Sequence, residues 1–85
     1  MLVNTNSILC IVTSPPEEGV FIGRVYSKSD NKVFLWRAMS LEHDTLRPLH
    51  LMYEQDTLME IDLSGTVVFE PSGEVLKKYT RLVDQ

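Results

Sequence analysis

A single cysteine, Cys10, stands in the 85 residues, so no intrachain disulfide can brace the fold. The chain reads as one made for a reducing compartment, with Cys10 a small buried hydrophobe inside the run Ile8–Val12. Cysteine and histidine spacing nowhere resembles a zinc site, and no metal or cofactor is expected. The four glycines, at 19, 23, 65 and 73, are scattered and build no phosphate-cradling loop. Apolar runs are all too short for a membrane-spanning helix, and the first residues, Met1 to Asn6, lack the basic start and apolar centre of a signal peptide. A soluble, cytoplasmic protein without membrane partners is the expectation. Basic residues are outnumbered, 8 against 12 acidic, for a net charge of −4. That excess argues against strong non-specific nucleic-acid binding by the whole surface, but leaves room for a local basic ring or groove.

What is present is β pattern. Two apolar-rich runs, Val20–Tyr26 and Val33–Met39, flank Ser27–Lys32, and predict a hairpin turning at Ser29–Asn31. Gly23, inside the first run, predicts a bend or bulge of the kind small barrels need at their corners. Strict alternation puts Val20, Ile22, Arg24 and Tyr26 on one face, and Phe21, Gly23 and Val25 on the other. On the return strand, Val33, Leu35, Arg37 and Met39 oppose Phe34, Trp36 and Ala38. Ahead of the hairpin, Ile8–Thr13 reads as a strand buried on both faces, followed by the turn Ser14–Gly19.

Beyond the hairpin, residues 42–45 read as a polar connection, Pro48 as a strand start or edge, Leu49–Tyr53 as strand four, and 54–56 as a break. From Leu58 the alternation resumes, with Met59, Ile61 and Leu63 opposite Glu60 and Asp62. Ser64-Gly65 then reads as a tight hairpin turn into Thr66–Phe69. After Pro71 the period becomes helical. Ser72 is the expected N-cap, Glu74 suits the first turn, and Val75, Leu76, Tyr79, Leu82 and Val83 form one apolar stripe. Residues 1–85 are read as one domain: a barrel over about 7–70 and a helix over about 72–83. A core this small is marginal alone, which makes oligomerisation the natural stabiliser.

Catalytic patterns are weak, and no enzyme is expected. Glu42-His43-Asp44 with His50 reads as solvated loop, and Glu60 with Asp62 as the solvent face of a strand. A hydrolase would need those carboxylates to converge with His50 on one cleft. Cys10 lacks any activating neighbour. More suggestive are Arg24, Tyr26, Lys28 and Lys32 around the hairpin, with Trp36 and Arg37 on its return. Rings that stack on bases beside cations that meet phosphates are what a single-stranded nucleic-acid surface uses. Trp36, taken alone, reads rather as a core or interface residue.

These residues resemble the Sm/LSm proteins, in particular the small Sm-like proteins of marine phages and ocean metagenomes. The likeness to the first Sm motif lies in Gly23-Arg24-Val25, Asp30 and Val33–Trp36. The second is similar in Leu63-Ser64-Gly65 followed by Thr66–Phe69. The family's Arg before that glycine is Ser64 here, its Asn four residues after Asp30 is Phe34, and its usual N-terminal helix stands at the C-terminus. The resemblance implies an all-β, SH3-like open barrel of five strongly bent antiparallel strands, closed into a homo-oligomeric ring by edge pairing. Candidate interface residues are then Leu49, Leu51, Tyr53, Val67, Val68 and Phe69. Candidate pore-side, nucleic-acid-binding residues are Lys28, Asp30, Asn31, Lys32, Ser64, Gly65 and Thr66. The implied partner is single-stranded RNA or DNA, in a host cytoplasm if the chain is phage-encoded. The competing expectation is an SH3-like barrel that binds a host or virion protein.

Overall fold

The computed structural model describes residues 4–13, 19–43, 45–48 and 58–84. Ile8–Thr13 forms strand β1, with the bounds its apolar run predicts. Leu9, Cys10 and Ile11 are buried in succession, so both faces of β1 are covered. Gly19–Ser29 (β2) and Lys32–Glu42 (β3) are longer than the apolar runs at their centres, and Ser29 pairs directly with Lys32 across a two-residue turn. Asp30 has a φ of 33° in that turn, a backbone setting that Asp tolerates.

The β2–β3 ladder slips twice. Between Ile22↔Met39 and Arg24↔Trp36, β3 has one residue too many; between Val25↔Leu35 and Ser27↔Phe34, β2 does. The first slip places Arg37 at φ 57° and brings β3 onto Gly23, where a Cβ would lie 3.0 Å from the Leu35 Cβ and 3.4 Å from the Ala38 Cα. The expected bulge is therefore present, its extra residue being on the partner strand, with Gly23 leaving the room it needs.

Each slip also inverts the alternation beyond it. Ala38 joins Val33 and Leu35 on the inner face, while Met39 crosses to the other, against strict alternation. On β2, Arg24 pairs with Trp36 and Lys28 with Val33, so Arg24 and Lys28 lie on opposite faces rather than on one. Tyr26, the extra residue between them, is 63% exposed.

Thr45–Pro48 is strand β4, an edge strand that begins at Thr45, which reads from sequence as connection, and ends at Pro48, which reads as a strand start or edge. Its hairpin reverses at His43, whose φ is 48°. Leu58–Asp62 (β5) pairs with the opposite half of β3, so β4 and β5 lie end to end along one edge. Pro48 closes the β4 ladder opposite Met39, and Leu58 opens the β5 ladder opposite Trp36, on the two sides of the bulge. The expected strand Leu49–Tyr53, with interface candidates Leu49, Leu51 and Tyr53, lies outside the described residues.

Ser64 and Gly65 turn the chain, with Gly65 at φ 73° and the Thr66 N–H donating to the Leu63 carbonyl at 3.2 Å. No hairpin results: Val67–Phe69 (β6) pairs with β1, at the far end of the sheet from β5. The turn thus crosses from one sheet edge to the other. The strand order is β4-β3-β2-β1-β6 with β5 also on β3, an antiparallel, strongly bulged sheet that is left open. Its inner face holds Leu9, Ile11, Val25, Val33, Leu35, Ala38 and Ile61, with Met59, Leu63 and Val68 packed against them.

Helix α1, Gly73–Val83, covers the other face. The Ser72 hydroxyl caps it by accepting from the Val75 N–H at 3.3 Å. Val75 and Tyr79 are buried against Cys10, Ile22 and Met39, with Leu82 and Val83 at the margin. Leu76, expected in the buried stripe, is 36% exposed.

Candidate nucleic-acid interface

Two turns far apart in sequence meet at one end of the sheet. β5 runs antiparallel to the start of β3, which sets Asp62 opposite Lys32 and carries Ser64 beside Asn31. The Leu63 N–H donates to the Asn31 carbonyl at 2.7 Å. The Asn31 side-chain amide donates to Asp62 Oδ1 at 3.2 Å and to the Ser64 hydroxyl. Asp62 Oδ1 also accepts the Ser64 N–H at 2.9 Å, an Asx-type turn that fixes the start of the crossover. Hydrogen bonds from the Ser64 backbone and hydroxyl hold the Asp62 carboxyl below the usual carboxylate range, with Lys32 adding to them.

The cations here have different surroundings. Lys32 pairs with Glu60 at 3.0 Å, and that hydrogen bond and charge raise its pKa. Lys28, exposed, forms no ion pair with a described residue; it aligns with Val33 on the inner-face side of the sheet. Of the candidate residues, Asn31, Lys32 and Ser64 are brought into one network. Asp30 and Gly65 occupy the two turn tips, and the Thr66 hydroxyl donates to the Leu63 carbonyl at 2.8 Å. Asp62 was missed as a site residue, although Asp two positions before Ser-Gly is itself an Asx-turn signal. Glu60 and Asp62 are thus engaged with Lys32 and with the turn; His50 lies outside the described residues.

On the helix side, Arg24 stands across from Trp36, and the Arg37 guanidinium lies 4.7 Å from the centre of the Trp36 ring. The Tyr79 hydroxyl donates to the Arg37 carbonyl at 3.0 Å, with the Trp36 carbonyl at 3.4 Å. Burial pushes the Tyr79 phenol up to about 12, against the opposing influence of Arg24 and Arg37. Burial likewise pushes the Cys10 thiol up to about 11, so it is protonated and weakly nucleophilic near neutral pH.

Among the interface candidates, β6 is the last strand of the sheet among the described residues, with Val67 62% and Phe69 37% exposed and Val68 turned toward the inner cluster. Among the described residues, no group of three or more His, Cys, Asp or Glu could hold a metal ion, and no helix is long and apolar enough to cross a membrane. No family model matches the chain, and no curated protein matches it.

Proposed function

We propose that the chain is a non-catalytic nucleic-acid-binding protein. In this reading it is an Sm-like open barrel that assembles into a homo-oligomeric ring through its sheet edges, and it holds single-stranded RNA, or DNA, on the β2–β3 and β5–β6 turns during nucleic-acid processing. The observation that carries the reading is the junction of those turns: Asn31 reaches both Asp62 and Ser64, across more than thirty positions of sequence. A pair of turns fixed against each other by these bonds, with Lys28 exposed beside them, suits a flexible polyanion better than a small-molecule substrate. The open edges at β5 and β6 supply surfaces that a neighbouring copy can pair with, and pairing removes the hazard of unpaired strands.

The test is gel filtration with light scattering, with and without oligo-U. A closed oligomer that shifts with RNA is expected. Lys28→Glu, which reverses one charge in every subunit, should weaken retention roughly tenfold or more without altering assembly. Unchanged retention would remove the turns from the binding surface. A second reading, an SH3-like module that binds a protein partner, is favoured by the exposed Val67 and Phe69 on the free edge of β6. An oligomer indifferent to RNA would point there.

A further inference from the structure

We propose that Arg24, Trp36 and Arg37 form a second site for single-stranded nucleic acid, on the helix-side face and separate from the turns. The inference rests on the nucleic-acid reading above but on none of its residues. Trp36 lies five positions beyond Asn31 along β3, about 17 Å on an extended strand, and on the face opposite that of Lys28.

The first observation is the backbone. Among the described residues, positive φ occurs at Asn6, Asp30, Arg37, His43 and Gly65. Asn, Asp, His and Gly are the residue types that occupy this region at low cost; arginine is not. Gly or Asn would build the same bulge with less strain, so it is the side chain of Arg37 that the position needs. An outlier of this kind, held in place by its surroundings, points to use. Here the surroundings are explicit, since the Tyr79 hydroxyl on the helix donates to the Arg37 carbonyl at 3.0 Å, with the Trp36 carbonyl 3.4 Å away.

The second observation is charge. In a chain with 12 acidic and 8 basic residues, neither Arg24 nor Arg37 forms an ion pair with a described carboxylate. Arg24 stands across the ladder from Trp36, and the Arg37 guanidinium lies 4.7 Å from the centre of its half-buried ring, so two arginines share this stretch of the face with one indole. Guanidinium binds phosphate through paired donors and also presents a flat face to a base, while indole adds stacking area. An acidic peptide would use the cations and leave the ring idle. A nucleotide chain uses both.

Trp36 is the only tryptophan, so its emission reports on this site alone. The full chain is titrated with a 12-nucleotide oligo-U and with oligo-dT, following Trp36 emission and, with an end-labelled strand, anisotropy. Quenching that tracks the anisotropy rise is expected. Arg37→Gly, which suits the left-handed backbone, should weaken affinity about tenfold while the melting midpoint holds. Arg24→Ala, in ordinary strand backbone, should do the same, and Lys28→Glu should leave the quenching in place. Anisotropy that rises without quenching, and that both arginine variants leave unchanged, overturns this site while the turns remain the binding surface. Quenching and anisotropy that are both unchanged in Lys28→Glu keep this site and remove the turns from the binding surface. An equal response to poly-glutamate overturns the inference by showing a cation patch indifferent to bases, and no binding by either readout overturns both proposals.

Discussion

Replacing Tyr79 by Phe tests how the helix is coupled to the bulge. The Tyr79 hydroxyl, on a side chain only 1% exposed, donates to the Arg37 carbonyl at 3.0 Å and lies 3.4 Å from that of Trp36. Phe fills nearly the same volume but withdraws the donor, at a cost of about 1–2 kcal/mol near neutral pH. For a domain of this size that lowers the melting midpoint by about 4–16 °C. The loss carries a pH signature. Burial pushes the phenol from an ordinary 10.0 to about 12, so the folded state favours the neutral form. The stability this contributes is whole below pH 10 and is lost as pH rises through about 12. At about pH 11 the wild type has given up roughly 1.4 kcal/mol through this group, and the Phe variant nothing. The Cys10 thiol, pushed up to about 11, also destabilises the fold as it ionises, but equally in both proteins. Urea unfolding followed by Trp36 emission should therefore show a gap that is level from about pH 8 to pH 9.5 and narrows from about pH 10 to pH 11. A gap that stays constant refutes the coupling.

Gly23→Ala sets a Cβ 3.0 Å and 3.2 Å from carbons of the fully buried Leu35 and 3.4 Å from the Ala38 Cα. Overpacking of about 1–3 kcal/mol, offset by about 0.5–1 kcal/mol for removing a strand glycine, leaves a net loss of about 1–2 kcal/mol in urea titration; an equal or higher midpoint would show that the bulge can open. Asp62→Ala should speed amide exchange at Ser64, whose N–H it accepts, and at Leu63, which donates to Asn31, with little change in global stability because the site is exposed. Unchanged exchange at both positions would mean that the turn holds without its carboxylate.

The parts of the fold legible in the sequence are those decided locally. Strand β1 was readable because both its faces are apolar, and the β2–β3 turn because Ser-Lys-Ser-Asp-Asn-Lys has few other uses. The helix was readable from its changed period and Ser72. What escaped were choices made by partners. Ser64-Gly65 announces a reversal but not which strand comes next, and β1 lies far from it in sequence. Thr-Leu-Arg-Pro has no alternation to mark it as β4; it is an edge strand, recruited by its hairpin with β3. Gly23 announced the first slip, but not that its extra residue would stand on β3; the second slip, at Tyr26, escaped because alternation has no memory of an inserted residue, and Arg37 gives no sign of a left-handed backbone. At the site, Asn31 and Ser64 could be nominated, but their mutual contact depends on β5 lying along β3.

The bulge that defeats alternation is also what separates the two charge environments on β3. At its start Lys32 is taken up by Glu60, and Asp62 by Ser64 and Asn31, so the turns end up internally satisfied, with Asp30 and Lys28 at their rim. Five residues on, the slip that moves Met39 onto the helix side leaves Trp36 beside Arg24 and holds Arg37 against its ring, with no described acid near enough to pair. Had β3 run in strict register, Arg37 would have shared the inner face with Val33 and Leu35, where an unpaired charge is untenable. The bulge releases the cation from the core and sets it at the indole. Neutralising a phosphate releases counterions in proportion to the cations engaged. Binding that runs through the bulge, with two arginines per chain, is therefore more sensitive to salt than binding that runs through the turns, where one exposed lysine stands among carboxylates.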